Sequence, residues 1–139
     1  MSGYDDLAQH IGELNDVLNA ISILKWDQRT QMPSGGARTR GNQLATLSRI
    51  AQEMFIGTTT ARLLETAEAE VAGEPSESYR VRSVAQTRQY YEIVRRIPMQ
   101  VIADMAALSP ESQLVWERAK KTDDFALFAP YLQRMLDFN

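Results

Sequence analysis

Trp26-Asp27-Gln28-Arg29-Thr30-Gln31-Met32-Pro33-Ser34-Gly35-Gly36, with Arg40 and Gln43-Leu44-Ala45-Thr46-Leu47 just beyond, is the stretch whose reading decides the fold. One amphipathic helical pattern runs into it and another runs out, so it reads as the corner of a helical hairpin. Trp26 is expected to be a buried anchor, because leaving so large an apolar side chain in water forgoes about 1.5–3 kcal/mol. Asp27 falls near a helix C-terminus, where a carboxylate opposes the macrodipole and needs a donor from the turn or from Arg29, Arg38 or Arg40. Arg40 is therefore expected to turn inward onto a carboxylate such as Asp27. Gly35 and Gly36 read as a structural turn that permits positive φ or a close helix approach. The same loop could present backbone N–H groups to an anion, but it lacks the Gly-Lys-Ser/Thr of a phosphate loop.

Upstream of the corner, Tyr4, Leu7, Ile11, Leu14, Leu18 and Ile21 recur in steps of three and four, which predicts a helix from Tyr4 to about Lys25. Val17 and Leu24 widen the stripe and favour a multi-helix bundle over a two-stranded coiled coil. Downstream, Leu44, Leu47, Ile50, Ala51, Met54 and Phe55 carry a second helix to near Gly57. Thr58 to Thr60 offer hydroxyl caps for a third helix holding Leu63, Leu64, Ala67 and Val71. Ala72-Gly73-Glu74-Pro75-Ser76 is a turn by composition and the best candidate for a mobile loop. A fourth helix is expected from about Ser76 to Arg96, broken at Ile97-Pro98. A short fifth follows over Met99 to Leu108, and Ser109-Pro110-Glu111 reads as the start of a sixth that closes at Lys120 and Lys121. Asp123 or Asp124 is expected to cap a last helix, with Pro130 tolerated in its first turn or at a break. No strand-like alternation appears. The expected architecture is all-α, an antiparallel bundle of about six or seven helices forming a single domain over 1–139.

A chain of 139 residues can bury roughly 65–70% of its unfolded surface, enough for an ordinary core. The composition, 44% hydrophobic and 24% charged with seven Gly and five Pro, is that of a folded, helix-rich protein rather than a disordered one. A net charge of −3 gives no general attraction to nucleic acid or anionic membranes. The absence of cysteine removes disulfides, thiolate catalysis and Cys-ligated zinc. Met1 to Asp6 is acidic without an apolar run, and Val17 to Leu24 is too short to span a bilayer, so the expectation is a cytoplasmic protein.

The ordered run Trp26-Asp27-Gln28, Thr30, Met32-Pro33, Gly35-Gly36-Ala37, Arg40 and Gln43-Leu44-Ala45 resembles the N-terminal region of the Taq-type (thermostable) zinc carboxypeptidases. A second block, Trp116, Ala119, Asp124-Phe125 and Phe128-Ala129-Pro130-Tyr131-Leu132, is similar to the same family at the expected separation. The resemblance covers roughly residues 4–138 and only the first part of a family member. Ser34 stands where a second proline is common, and Gln52 where the family often has His before Glu53. The resemblance implies an all-helical metallopeptidase that removes C-terminal residues from peptides, whose N-terminal helices form a wall and lid of the substrate groove and contribute to homodimer contacts. It implies zinc or another divalent metal for a full-length member, held by a His-Glu-x-x-His helix with the Glu as general base.

This chain has one histidine, His10, so that motif is absent from it and no metal-binding or catalytic residue is assigned. Asp6, His10 and Glu13 share one helix face, which reads as a solvated mixed-charge surface rather than a metal site. Trp26, Asp27, Thr30, Met32, Pro33, Gly35, Gly36, Arg40, Gln43, Trp116, Phe128 and Pro130 are assigned structural roles. Arg80, Arg82, Arg88, Arg95 and Arg96 interleave with Tyr79, Tyr90 and Tyr91, a pattern that single-strand binders use, yet the net charge is negative and a solvated or interdomain face is expected. The reading is a chain that is not catalytic by itself, with no cofactor of its own. It is expected to self-associate or to pack on a missing catalytic portion, with peptide substrate only for a full-length relative and neither nucleic acid nor membrane as partner. The alternative is a stand-alone helical interaction module, a truncated paralogue.

Overall fold

In the computed structural model, which describes residues 2–138, the chain is helical throughout, as its periodicity requires. The elements are α1 (Gly3–Thr30), a 3-10 turn (Ser34–Gly36), α2 (Ala37–Ile56), α3 (Thr58–Val71), α4 (Tyr79–Val94), α5 (Met99–Lys121), a second 3-10 turn (Phe125–Leu127) and α6 (Ala129–Leu136). By contact density the chain divides into two compact units, one of residues 1–19 and 50–98 and one of 20–49 and 99–139.

The first unit is built on Leu7 of α1, Leu63, Leu64, Ala67 and Val71 of α3, and Val84 and Tyr91 of α4. Phe55 meets Tyr91 edge to face at 6.2 Å between ring centroids. The start of α1 is fastened by a carboxylate distant in sequence. Glu70 accepts the Tyr4 backbone N–H at 3.1 Å and pairs with Arg80, which also reaches Glu74 and lies over the Tyr4 ring. The turn expected to be mobile is knit by these contacts: Glu74 accepts the Ser78 hydroxyl, and the Ser78 N–H reaches the Pro75 carbonyl. Helix α4 consequently starts at Tyr79 rather than near Ser76.

The Tyr4 N–H first, and then Arg80, holds the Glu70 carboxyl below the usual glutamate range. A depressed pKa contributes stability above the unfolded-state value that is lost as pH falls through the folded-state value. Acid titration of thermal stability in the wild type and Glu70→Gln should show the wild-type advantage shrinking toward zero at low pH. A pH-independent gap would contradict this assignment.

In the second unit Ile21, Ala37, Gly41, Leu44, Leu108, Pro110, Ser112 and Ala119 are buried. Several boundaries differ from expectation for identifiable reasons. Helix α1 passes Lys25 and ends only at Thr30, where the Gln31 and Met32 N–H groups both bond to the Asp27 carbonyl ahead of Pro33. Trp26 is not a buried anchor: it is 63% exposed. Five residues beyond Ile21, it is turned roughly 140° from the Leu7-Leu14-Ile21 line, so its phase on the helix overrides its size.

Helix α5 is continuous through Ser109-Pro110-Glu111 where a boundary was expected. Proline costs an internal hydrogen bond, but Pro110 is fully buried and the Leu108 and Ser112 packing on either side holds the helix together. No threonine hydroxyl caps α3; its cap is Gly57 with extended backbone. Asp124 caps the second 3-10 turn by accepting the Ala126 N–H at 3.1 Å, not α6, and Pro130 lies in the first turn of α6 as the sequence requires.

Candidate functional site

The Trp26 to Gln43 corner is organised by one side chain. Arg40, only 13% exposed, donates from Nη2 to the Asp27 carboxylate at 2.7 Å, from Nη1 to the Leu24 carbonyl, and from Nε to Gln43 Oε1 at 3.1 Å. The planar guanidinium fork therefore ties the last turns of α1 to the first turn of α2, answering both the carboxylate and a carbonyl near the helix end. Thr30 donates its hydroxyl to the Trp26 carbonyl at 2.9 Å, closing the last turn. Pro33 is extended, and Gly36 passes its N–H to the Pro33 carbonyl.

No described glycine has positive φ, so the glycines are not there for left-handed backbone. A Cβ on Gly36 would lie 3.2 Å from Met32 Cγ, which makes close approach its role, whereas Gly35 is open. The Gly36 N–H is committed to the Pro33 carbonyl and is not open to an anion.

The second block forms its own cluster. Trp116 of α5 meets Phe128 edge to face at 5.2 Å, and Phe128 meets Phe125 at 6.3 Å. Sequence reasoning missed the tie between the corner and α5: Gln28 Nε2 donates to Gln113 Oε1 at 2.9 Å, beside a cavity of about 250 Å³ lined in part by Thr30, Met32, Ser34 and Pro110. A glutamine in the corner motif was the only signal, and it names no partner. Gly41 was also missed. Its position, buried inside a helical pattern, is the mark of close backbone approach, and an added Cβ would lie 2.7 Å from the Ala107 carbonyl oxygen.

On the mixed-charge face of α1, His10 itself is half-buried. Its Nε2 is 2.8 Å from Thr60 Oγ1 and 3.3 Å from the Met54 carbonyl oxygen. The buried Thr60 hydroxyl donates to that same carbonyl at 2.7 Å, so its oxygen is the acceptor and Nε2 carries the proton. The imidazole is a helix-to-helix connector. Asp6 and Glu13 border it in an open depression together with the cationic Arg62. Among the described residues no three His, Asp or Glu side chains are grouped to hold a metal ion.

Three of the five arginines in and just beyond α4 are answered by acids. Arg88 forms a two-point contact with Glu68 at 2.7 and 2.9 Å, Arg95 pairs with Glu92, and Arg80 is committed to Glu70 and Glu74. Among the described residues no helix is long and apolar enough to cross a membrane.

With this geometry in hand, comparison with known proteins gives a consistent picture. The profile of the Carboxypeptidase Taq (M32) metallopeptidase family matches residues 6–139. Thermostable carboxypeptidase 1 of Thermus thermophilus is 29% identical over 134 residues, 96% of this chain and 26% of that protein. Carboxypeptidase 1 of Bacillus subtilis is 29% identical over 136 residues, again 96% and 26%. A solved structure described as "The Structure of CHT" superposes with a TM-score of 0.64 at 31% identity, over 98% of this chain and 27% of that one. The chain thus spans about a quarter of the length of the curated relatives it matches.

Proposed function

Since the chain belongs to the Carboxypeptidase Taq (M32) metallopeptidase family, we propose that it corresponds to the N-terminal helical wall of the peptide groove in a metal-dependent carboxypeptidase, and that by itself it is a scaffold rather than a catalyst. The observation that carries this reading is the pairing of a family match over residues 6–139 with a single histidine. Two imidazoles are needed for a His-Glu-x-x-His zinc site, and the one present is occupied as a structural donor. The corner supports a scaffolding role. Arg40 binds Asp27, the Leu24 carbonyl and Gln43, Thr30 binds the Trp26 carbonyl, and Gln28 reaches Gln113, which stiffens the α1–α2 turn.

Equilibrium dialysis against zinc, followed by metal analysis, tests the absence of a catalytic centre. The expected result is no stoichiometric retention at micromolar free zinc. One tightly held ion per chain would overturn the reading.

A stand-alone interaction module is the second reading. It is favoured by the apolar side chains that stay open to water, among them Ile23 and Trp26 on the outer side of α1 and Trp116 and Phe125 near the end of α5.

A further inference from the structure

We propose that the outer face of α4 docks an acidic amphipathic helix of another polypeptide. The inference concerns the chain as it stands and does not depend on the carboxypeptidase reading. Tyr79, Arg82, Gln86, Tyr90, Ile93 and Ile97 recur in steps of three and four, so they form one stripe along α4 and the turn that follows it. All of them are exposed. The stripe lies roughly 150° around the helix from Val84 and Tyr91, which face the core, so it is the side turned to water. Most of its large side chains are nonetheless aromatic or aliphatic: Tyr79 is 79% exposed, Tyr90 55% and Ile93 48%. The open parts of the two tyrosines alone come to on the order of 250 Å². With the isoleucines added, the stripe reaches the roughly 300 Å² or more that marks a binding face on a soluble chain.

Charge identifies the occupant. Arg82 sits in the stripe and Arg96 beside it, fourteen residues further on, or about 20 Å along the axis. Neither pairs with an acid among the described residues, whereas Arg80, Arg88 and Arg95 all do. The single acid of α4, Glu92, is held by Arg88 and Arg95 outside the stripe. On a chain of net charge −3, this face therefore carries a cation toward each end and no carboxylate of its own. A second copy of the chain fits it poorly, because antiparallel pairing of two such stripes about Gln89 sets Arg82 of one protomer against the partner's Arg96. A nucleic-acid strand fits it poorly as well. Its closely spaced phosphates would meet only two guanidiniums, and Ile93 and Ile97 offer no ring for a base to stack on. An acidic amphipathic helix answers both features: its apolar positions cover the tyrosines and isoleucines at heptad spacing, and flanking carboxylates reach the two guanidiniums.

Fluorescence anisotropy of a labelled peptide titrated with the full chain tests the proposal. The probe is an acetylated helix of about 21 residues with leucine at the a and d heptad positions and glutamate at e and g; its counterpart carries lysine at e and g. The expected result in about 50 mM NaCl is a dissociation constant on the order of 100 µM for the glutamate peptide, weakening severalfold in about 500 mM NaCl, and at least tenfold poorer binding of the lysine peptide. Arg82→Glu and Arg96→Glu alter exposed, unpaired positions, and circular dichroism verifies that each variant remains folded. Each is expected to weaken binding at least fivefold, whereas Arg38→Glu, the same change of charge on α2, leaves it unchanged. Equal binding of the two peptides overturns the proposal, as does no binding of the glutamate peptide up to about 1 mM or an equal loss from Arg38→Glu. Tighter binding of a labelled oligothymidylate than of the glutamate peptide also overturns it, in favour of a nucleic-acid strand. Any of these failures would leave the zinc result, and the scaffold reading with it, unaffected.

Discussion

Arg40→Ala is expected to lower the melting temperature by about 6–10 °C, corresponding to roughly 2 kcal/mol in a chain of this size. Truncating one member of a buried, hydrogen-bonded ion pair costs about 3–5 kcal/mol, but the Asp27 side chain is 36% exposed and water recovers part of that loss. The remainder comes from two sources. The Leu24 carbonyl loses its charged donor, and Asp27 stays near a helix C-terminus with nothing to offset the macrodipole. Arg40→Lys separates charge from geometry. A single ammonium cannot serve Leu24, Asp27 and Gln43 from one fork, so it should recover about half the stability. Full recovery by lysine would show that the corner needs only a positive charge.

Gly41→Ala should destabilise by about 2 kcal/mol, although replacing glycine by alanine inside a helix ordinarily stabilises by about 0.5–1 kcal/mol. The sign is reversed by what the methyl meets. A Cβ at Gly41 would sit 2.7 Å from the Ala107 carbonyl oxygen and 3.4 Å from the Ala107 carbonyl carbon. These are backbone atoms of α5, so α2 and α5 must separate or bend, and overpacking of this kind typically costs about 1–3 kcal/mol. Gly12→Ala is the internal control. It too lies inside a helix, α1, but a Cβ there meets nothing within 4 Å. It should therefore stabilise by about 0.5–1 kcal/mol. Urea unfolding of the two variants should move the midpoint in opposite directions. A shift in the same direction would contradict the close α2–α5 contact.

These two positions also show what the amino-acid order discloses. The Asp27–Arg40 pair was legible because an acid near a helix C-terminus is locally unfavourable and needs a donor close by in sequence. The line of Leu7, Leu14 and Ile21 was legible because spacing alone puts one side of α1 in the core. Gly41 was not, because a glycine in a helical pattern says that something comes close without saying what. Trp26 was misplaced by weighing side-chain size above helical phase. Pro110 was misread because local rules make Ser-Pro-Glu a helix start, whereas burial between Leu108 and Ser112 is a tertiary fact that outweighs one lost hydrogen bond. The partner of His10 lies fifty residues away at Thr60, beyond the reach of any local pattern. The all-helical class was legible throughout, since periodicity is a property of the chain by itself.

Trp26 on α1 and Trp116 on α5 both stay largely in water, 63% and 46% exposed. They are the chain's two tryptophans, so its intrinsic fluorescence should be red-shifted and accessible to iodide in dilute solution.

Hydrolysis of blocked dipeptides by the purified chain, with zinc or cobalt added and with a chelator as control, tests the central claim most directly. The scaffold reading predicts release of C-terminal residues no faster than the chelated control, because the sequence holds a single imidazole where two are needed to seat the ion. Metal-dependent turnover well above that control would contradict it.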